Sequence, residues 1–84
     1  MYEVVFDGPA IASLEKLPNQ LKQRIFNKIL SAKADPFHFF DRLEGRADYR
    51  LRVGDYRIIA DIDQTKKRID ITRIGHRKNV YAKL

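Results

Sequence analysis

Arg50, Arg52 and Arg57 lie close together in the sequence, and a fourth arginine, Arg77, stands four residues before Tyr81. These are the side chains best suited to chemistry. A guanidinium is permanently charged, planar and forked, so its paired N–H donors match two oxygens of a phosphate group. Arg52, Arg57 and Arg77 could therefore stabilise the extra charge of a phosphorane formed when an RNA 2′-hydroxyl attacks the adjacent phosphorus. Guanidiniums are poor proton acceptors, with a pKa of about 12.5 or more. The acceptor for the 2′-hydroxyl proton must then be another group, and His76 and Tyr81 both qualify. Alternation along an extended segment turns His76 away from Arg77, and a surface histidine at a strand end is its plainer reading. Other chemistries find little support. Two histidines, no cysteines and scattered carboxylates give no metal-ligand spacing, so neither a metal nor another cofactor is expected. Ser13 and Ser31 have no histidine partner for a nucleophilic triad. His38 stands alone and is assigned no role.

Pairing of the strands predicts how the arginines meet. Tyr49, Leu51 and Val53 alternate with Arg50 and Arg52, while Tyr56, Ile58, Ala60 and Ile62 alternate with Arg57, Ile59 and Asp61. This is the period of strands with one apolar face. Between them, Gly54-Asp55 is a two-residue loop with glycine first, as a type II′ turn requires. A tight turn sets Val53 opposite Tyr56, Arg52 opposite Arg57 and Leu51 opposite Ile58. Like charges facing each other across a ladder are destabilising, so folding alone does not account for Arg52 against Arg57. A third strand, with Ile69 and Ile71 alternating with Arg68, Asp70 and Thr72, returns after the polar loop Gln64 to Lys67. With Asp63 opposite Arg68, Ile62 faces Ile69 and Arg57 comes opposite Ile74. The segment from Gly75 to Tyr81 then leaves the sheet beside the arginines. One basic concavity is expected, holding Arg50, Arg52, Arg57, Arg77 and Tyr81, with His76 and Lys78 as further RNA contacts. Arg50 is expected to lie farthest from the C-terminal segment. The plainer alternative is a solvated face whose charges discourage edge pairing.

The elements that must position these residues begin with a strand over Tyr2 to Phe6, closed by Asp7-Gly8-Pro9. Ile11, Leu14 and Leu17 recur at helical spacing up to Pro18. Leu21, Ile25, Phe26, Ile29 and Leu30 form the stripe of a second helix, which should stop by Asp35-Pro36. Phe37, Phe39 and Phe40 follow in a loop-like stretch, where they are expected to plug the edge of a small core rather than stack on bases. The fold class is α+β: two N-terminal helices packed on one face of a small, mainly antiparallel four-stranded sheet.

Bulk properties agree with this plan. A chain of 84 residues buries only about 60 to 65% of its unfolded surface, so residues 1–84 are expected to form a single domain. Residues 1–41 carry five basic and five acidic side chains, whereas residues 42–84 carry twelve basic and six acidic and so account for the whole net charge of +6. Such asymmetry favours a polyanionic partner through counterion release. There is no apolar stretch long enough to span a bilayer and no basic patch leading an apolar run at the N-terminus. The lack of cysteine suits a reducing compartment, and the cytoplasm is the expected location.

Three segments carry a family resemblance: Arg42-Leu43-Glu44-Gly45, the run Tyr49-Arg50-Leu51-Arg52-Val53-Gly54-Asp55-Tyr56-Arg57, and Ile74-Gly75-His76-Arg77 through Val80-Tyr81. Together they resemble the RelE family of bacterial and archaeal toxins in the RelE/ParE superfamily, with the order of elements matching over essentially the whole chain. The resemblance implies the RelE-like microbial RNase fold and an mRNA interferase that cuts codons in the ribosomal A site. Its implied partners are the ribosome, A-site mRNA and a cognate RelB-like antitoxin. It also implies Tyr81 as proton acceptor, with Arg77 stabilising the phosphate and assisting the leaving group. Two features depart from the pattern. Arg50 and Arg52 stand where well-known members carry lysines, and the interval between Arg77 and Tyr81 is shorter than in some relatives. ParE-type toxins share the fold and the central hairpin but act on DNA gyrase, which is the alternative activity.

Overall fold

The computed structural model describes residues 1–83. At its centre, β3 (Tyr49–Val53) and β4 (Tyr56–Asp63) pair antiparallel in the expected register, with Val53 opposite Tyr56, Arg52 opposite Arg57 and Leu51 opposite Ile58. Gly54 has φ +58° while Asp55 does not share a positive φ, the combination that distinguishes a type II′ turn from type I′.

β5 (Arg68–His76) pairs antiparallel with the other side of β4, beginning as expected at Asp63 opposite Arg68 and Ile62 opposite Ile69. The register then shifts. Ala60 faces Ile71 but Ile59 faces Arg73, leaving Thr72 as the extra residue of a β-bulge. The Thr72 hydroxyl donates to the Ile59 carbonyl at 3.2 Å, which occupies a group that the broken ladder would otherwise expose. Beyond the bulge Arg57 faces Gly75 rather than Ile74. The simple alternation assumed for this strand therefore ends at Thr72.

Two further strands complete a sheet ordered β1-β5-β4-β3-β2. β1 (Glu3–Phe6) lies parallel to β5, and β2 (Asp41–Arg42) is a two-residue strand antiparallel to the start of β3. The sheet thus has five strands where four were expected, because Asp41-Arg42 is too short to show a period. α1 (Gly8–Glu15) and α2 (Asn19–Ser31) correspond to the two apolar stripes separated at Pro18. α3 (Pro36–Phe39) is a single turn within the aromatic stretch read as a loop. There Phe40 is buried and Phe39 packs on the core, while Phe37 remains 40% exposed against the rings of Tyr2 and Tyr49.

Both main helices lie on one sheet face. Ile25, Ile29 and Ala32 from α2 and its end, together with Ala10 from α1, meet Leu51, Val53, Ile58, Ala60, Ile62, Ile69, Ile71 and Ile74 in the core. The helical stripes are wider than the sheet beneath them. Ile11, Phe26 and Leu30 stay exposed, with Phe26 stacked on Phe6 at 6.3 Å between ring centroids. Ile71 is wholly buried among these groups, and a domain of this size has only about 4 to 12 kcal/mol of stability. Ile71→Ala should cost about 2 to 5 kcal/mol, read as a lowered urea midpoint at unchanged slope.

Candidate active site

The second face of the sheet holds the arginines in two rows. Residues opposite one another in a ladder share a face, with Cβ atoms about 4.5 to 5.5 Å apart. Arg52, Arg57 and Gly75 form the row nearest the β3–β4 turn, and Asp41, Arg50, Ile59 and Arg73 form the next. Farther along, Asp61 faces Asp70 and Asp63 faces Arg68, with the Arg68–Asp70 ion pair at 3.2 Å. This face is therefore polarised, basic toward the turn and acidic away from it. An anionic chain would be held at one end only.

Arg57 is fixed by the turn it follows. Its Nη1 donates to the carbonyls of Gly54 and Tyr56, both at 2.9 Å, leaving its other donors for a ligand. Arg52 is exposed directly across from it. It also lines a cleft of about 410 Å³ with Arg24 and Lys28 of α2, which extends the positive surface around the side of β3.

The C-terminal segment does not run on as a strand. After His76 the chain turns, and a short 3₁₀ helix, Val80–Lys83, folds back over the arginine face. Gly75 permits this, since a Cβ there would stand 3.3 Å from the Val80 Cβ. The fold-back accounts for the burial of Ile59 and Val80 apart from the main core. It also carries Tyr81 to Arg50, whose Nη1 donates to the Tyr81 Oη at 3.4 Å. Arg50, expected to be the arginine farthest from the C-terminal segment, is thus in contact with it.

The remaining sequence candidates lie elsewhere. Arg77 stands at the β3–β4 turn, where its N–H donates to the Asp55 carbonyl at 2.8 Å and its Nε lies 3.6 Å from an Asp55 carboxylate oxygen. Both side chains are more than half exposed, so this pair contributes little to stability. His76 is opposite Tyr56 on the helix-covered side. Its ring meets that tyrosine edge-on at 5.5 Å, and its Nδ1 accepts the Lys78 N–H at 3.2 Å. His76 is therefore not gathered with the arginines, and Lys78 is exposed in the following turn. Arg73 is the residue that the sequence reading missed. The spacing of three between Ile71 and Ile74 was the available signal, because two inward-facing residues three apart in one strand require an inserted residue.

The arrangement thus offers preorganised guanidiniums for a phosphate group and one phenolic hydroxyl held among them. Residues 4–81 match the family model of the ParE toxin of type II toxin–antitoxin systems. Comparison with curated proteins gave no match. Among solved structures, a RelBE toxin–antitoxin complex from Mycobacterium tuberculosis matches with a TM-score of 0.80 at 26% identity, covering 89% of this chain and 96% of that one. The archaeal RelE–RelB complex from Pyrococcus horikoshii matches with a TM-score of 0.79 at 27% identity, covering 94% and 98%. The intact Escherichia coli RelBE complex, at 19% identity and a TM-score of 0.80 over 90% and 96% of the two chains, shares the fold. With the model spanning nearly the whole chain, the protein belongs to the ParE toxin family of type II toxin–antitoxin systems, within the RelE/ParE superfamily.

Proposed function

We propose that this toxin is a ribosome-dependent endoribonuclease that cuts mRNA in the A site without a metal ion, and that a RelB-like antitoxin silences it. The observation that carries this reading is the convergence of Arg50, Arg52 and Arg57 with Tyr81 on one sheet face. Arg52 and Arg57 hold the non-bridging oxygens of the reacting phosphate. Tyr81 acts as the phenolate, its Oη stabilised by the hydrogen bond from Arg50, and takes the proton of the 2′-hydroxyl. The 2′-oxygen forms a bond to phosphorus while the bond to the 5′-oxygen breaks. Arg77, at the turn, offsets charge on the departing oxygen, which takes a proton from solvent water and leaves as a 5′-hydroxyl. Lys78 supplies a further phosphate contact. His76, packed on Tyr56, is left with a structural role. The exposed Ile11, Phe26 and Leu30 give an antitoxin an apolar surface on the opposite side.

The products test the mechanism. Cleavage on programmed ribosomes should leave a 2′,3′-cyclic phosphate or 3′-phosphate and a 5′-hydroxyl. A 3′-hydroxyl end would mean attack by water and would exclude the 2′-hydroxyl route. The match to ParE toxins favours a second reading, inhibition of DNA gyrase by binding alone. Mapping mRNA 5′ ends after induction, beside a gyrase supercoiling assay, separates the two.

A further inference from the structure

β1 pairs with β5 only as far as Ile71, so the outer edge of β5 from Thr72 onward has no strand beside it. α1 and the C-terminal turn close around this edge and leave a cleft of about 200 Å³ lined by Ser13, Arg73, Ile74, Gly75, Asn79 and Val80. Arg73 is its one charged wall, Ser13 and Asn79 bring a hydroxyl and an amide, and no carboxylate is among the lining residues. Gly75 keeps the cleft open in the sense that any Cβ there would press on Val80. Two further facts bear on Arg73. It has no ion-pair partner among the described residues, and Asp70 on the same face is engaged by Arg68. Its Nε, like that of Arg50, is also buried without a hydrogen-bond partner, an unfavourable state for a charged donor.

We infer that Arg73, Ser13 and Asn79 form a pocket for one phosphate group of bound RNA, next to the group held by Arg52 and Arg57. This inference rests on the endoribonuclease reading and adds a positioning residue to it. The chemistry fits a phosphodiester: one negative charge meets one guanidinium, and the free oxygens take the hydroxyl and amide donors. The connection to the reacting centre is direct. Gly75 shares a row with Arg57, and Val80 precedes Tyr81, so both walls of the cleft continue into the site. Seating a neighbouring phosphate here would fix the register of the RNA chain along the two basic rows.

The test begins with the isotope-labelled full-length chain titrated with inorganic phosphate, following the arginine Nε–H signals and the Asn79 side-chain amide by NMR. The Arg73 and Asn79 signals should shift together and saturate. Ser13→Ala should weaken that binding severalfold, and Arg73→Gln by about tenfold or more, the loss of one charge-assisted hydrogen bond. Thermal midpoints of both variants should stay near wild type. On programmed ribosomes, Arg73→Gln should raise the half-saturating concentration about tenfold while the saturated cleavage rate stays within about twofold, and Arg73→Lys should restore part of the loss. An Arg73 signal unmoved by phosphate overturns the pocket. A shift with acetate but not with phosphate assigns it to a protein carboxylate and overturns the RNA assignment. If the wild-type chain cleaves mRNA and Arg73→Gln matches it at every concentration, the pocket fails and the activity stands. If the wild-type chain cleaves nothing, the activity fails, while the phosphate titration still decides whether the pocket exists.

Discussion

Arg57→Ala should slow single-turnover cleavage on programmed ribosomes by about 10² to 10³, a loss of roughly 2.7 to 4 kcal/mol, with ribosome binding little changed. The reason is preorganisation. Two hydrogen bonds at 2.9 Å tie one Arg57 nitrogen to the turn carbonyls, so its remaining donors are aimed before substrate arrives. An electrostatic group that need not reorganise contributes most where charge develops, in the transition state. Arg57→Lys should recover little, because an ammonium cannot occupy the turn and present a forked pair of donors at once. A folded, ribosome-bound Arg57→Ala protein with wild-type turnover would mean that the reacting phosphate lies elsewhere.

The Tyr81 hydroxyl should matter on a similar scale. Tyr81→Phe keeps the ring and its packing, so binding should hold, while the cleavage rate should fall by about 10² or more if the oxygen accepts the 2′-hydroxyl proton. The contact with Arg50 sharpens this test. Arg50→Ala removes the hydrogen-bond donor to Oη and should lower the rate as well as the affinity. In the double variant the two losses should not add, because they act through one oxygen. Additive losses would show that Arg50 serves the RNA backbone independently, and a near-normal rate for Tyr81→Phe would remove the tyrosine from proton transfer.

Much of this site was legible in the sequence where local rules govern. The Gly54-Asp55 turn has one tight geometry and the flanking residues alternate strictly, so the facing of Arg52 and Arg57 follows from turn chemistry and the period of a strand. The two helices and their shared sheet face follow in the same way from apolar spacing. What was not legible depends on interactions distant in sequence. A two-residue strand such as Asp41-Arg42 carries no period, and it forms because Tyr49-Arg50 offers it an edge. The fold-back of Val80 and Tyr81 depends on the space above Gly75, which exists only once β5 is in place. The position of Arg50 beside Tyr81 was therefore out of reach, although both residues were chosen for their chemistry.

The bulge at Thr72 gives this architecture a counting rule as well as a shape. A substitution there changes one side chain, the one whose hydroxyl reaches the Ile59 carbonyl. Deleting the residue would close the ladder without changing its pairs, since Ile71 would stay opposite Ala60 and Arg73 opposite Ile59. Arg73, Ile74 and Gly75 would keep their faces, and what would be lost is the local bend and added twist that the bulge gives β5 before it reaches Gly75 and Val80. Chains that share this sheet can thus lose the bulge and still keep the arginine row, so that the residue count between Ile71 and Ile74 sets how β5 twists toward the site rather than which way its side chains face.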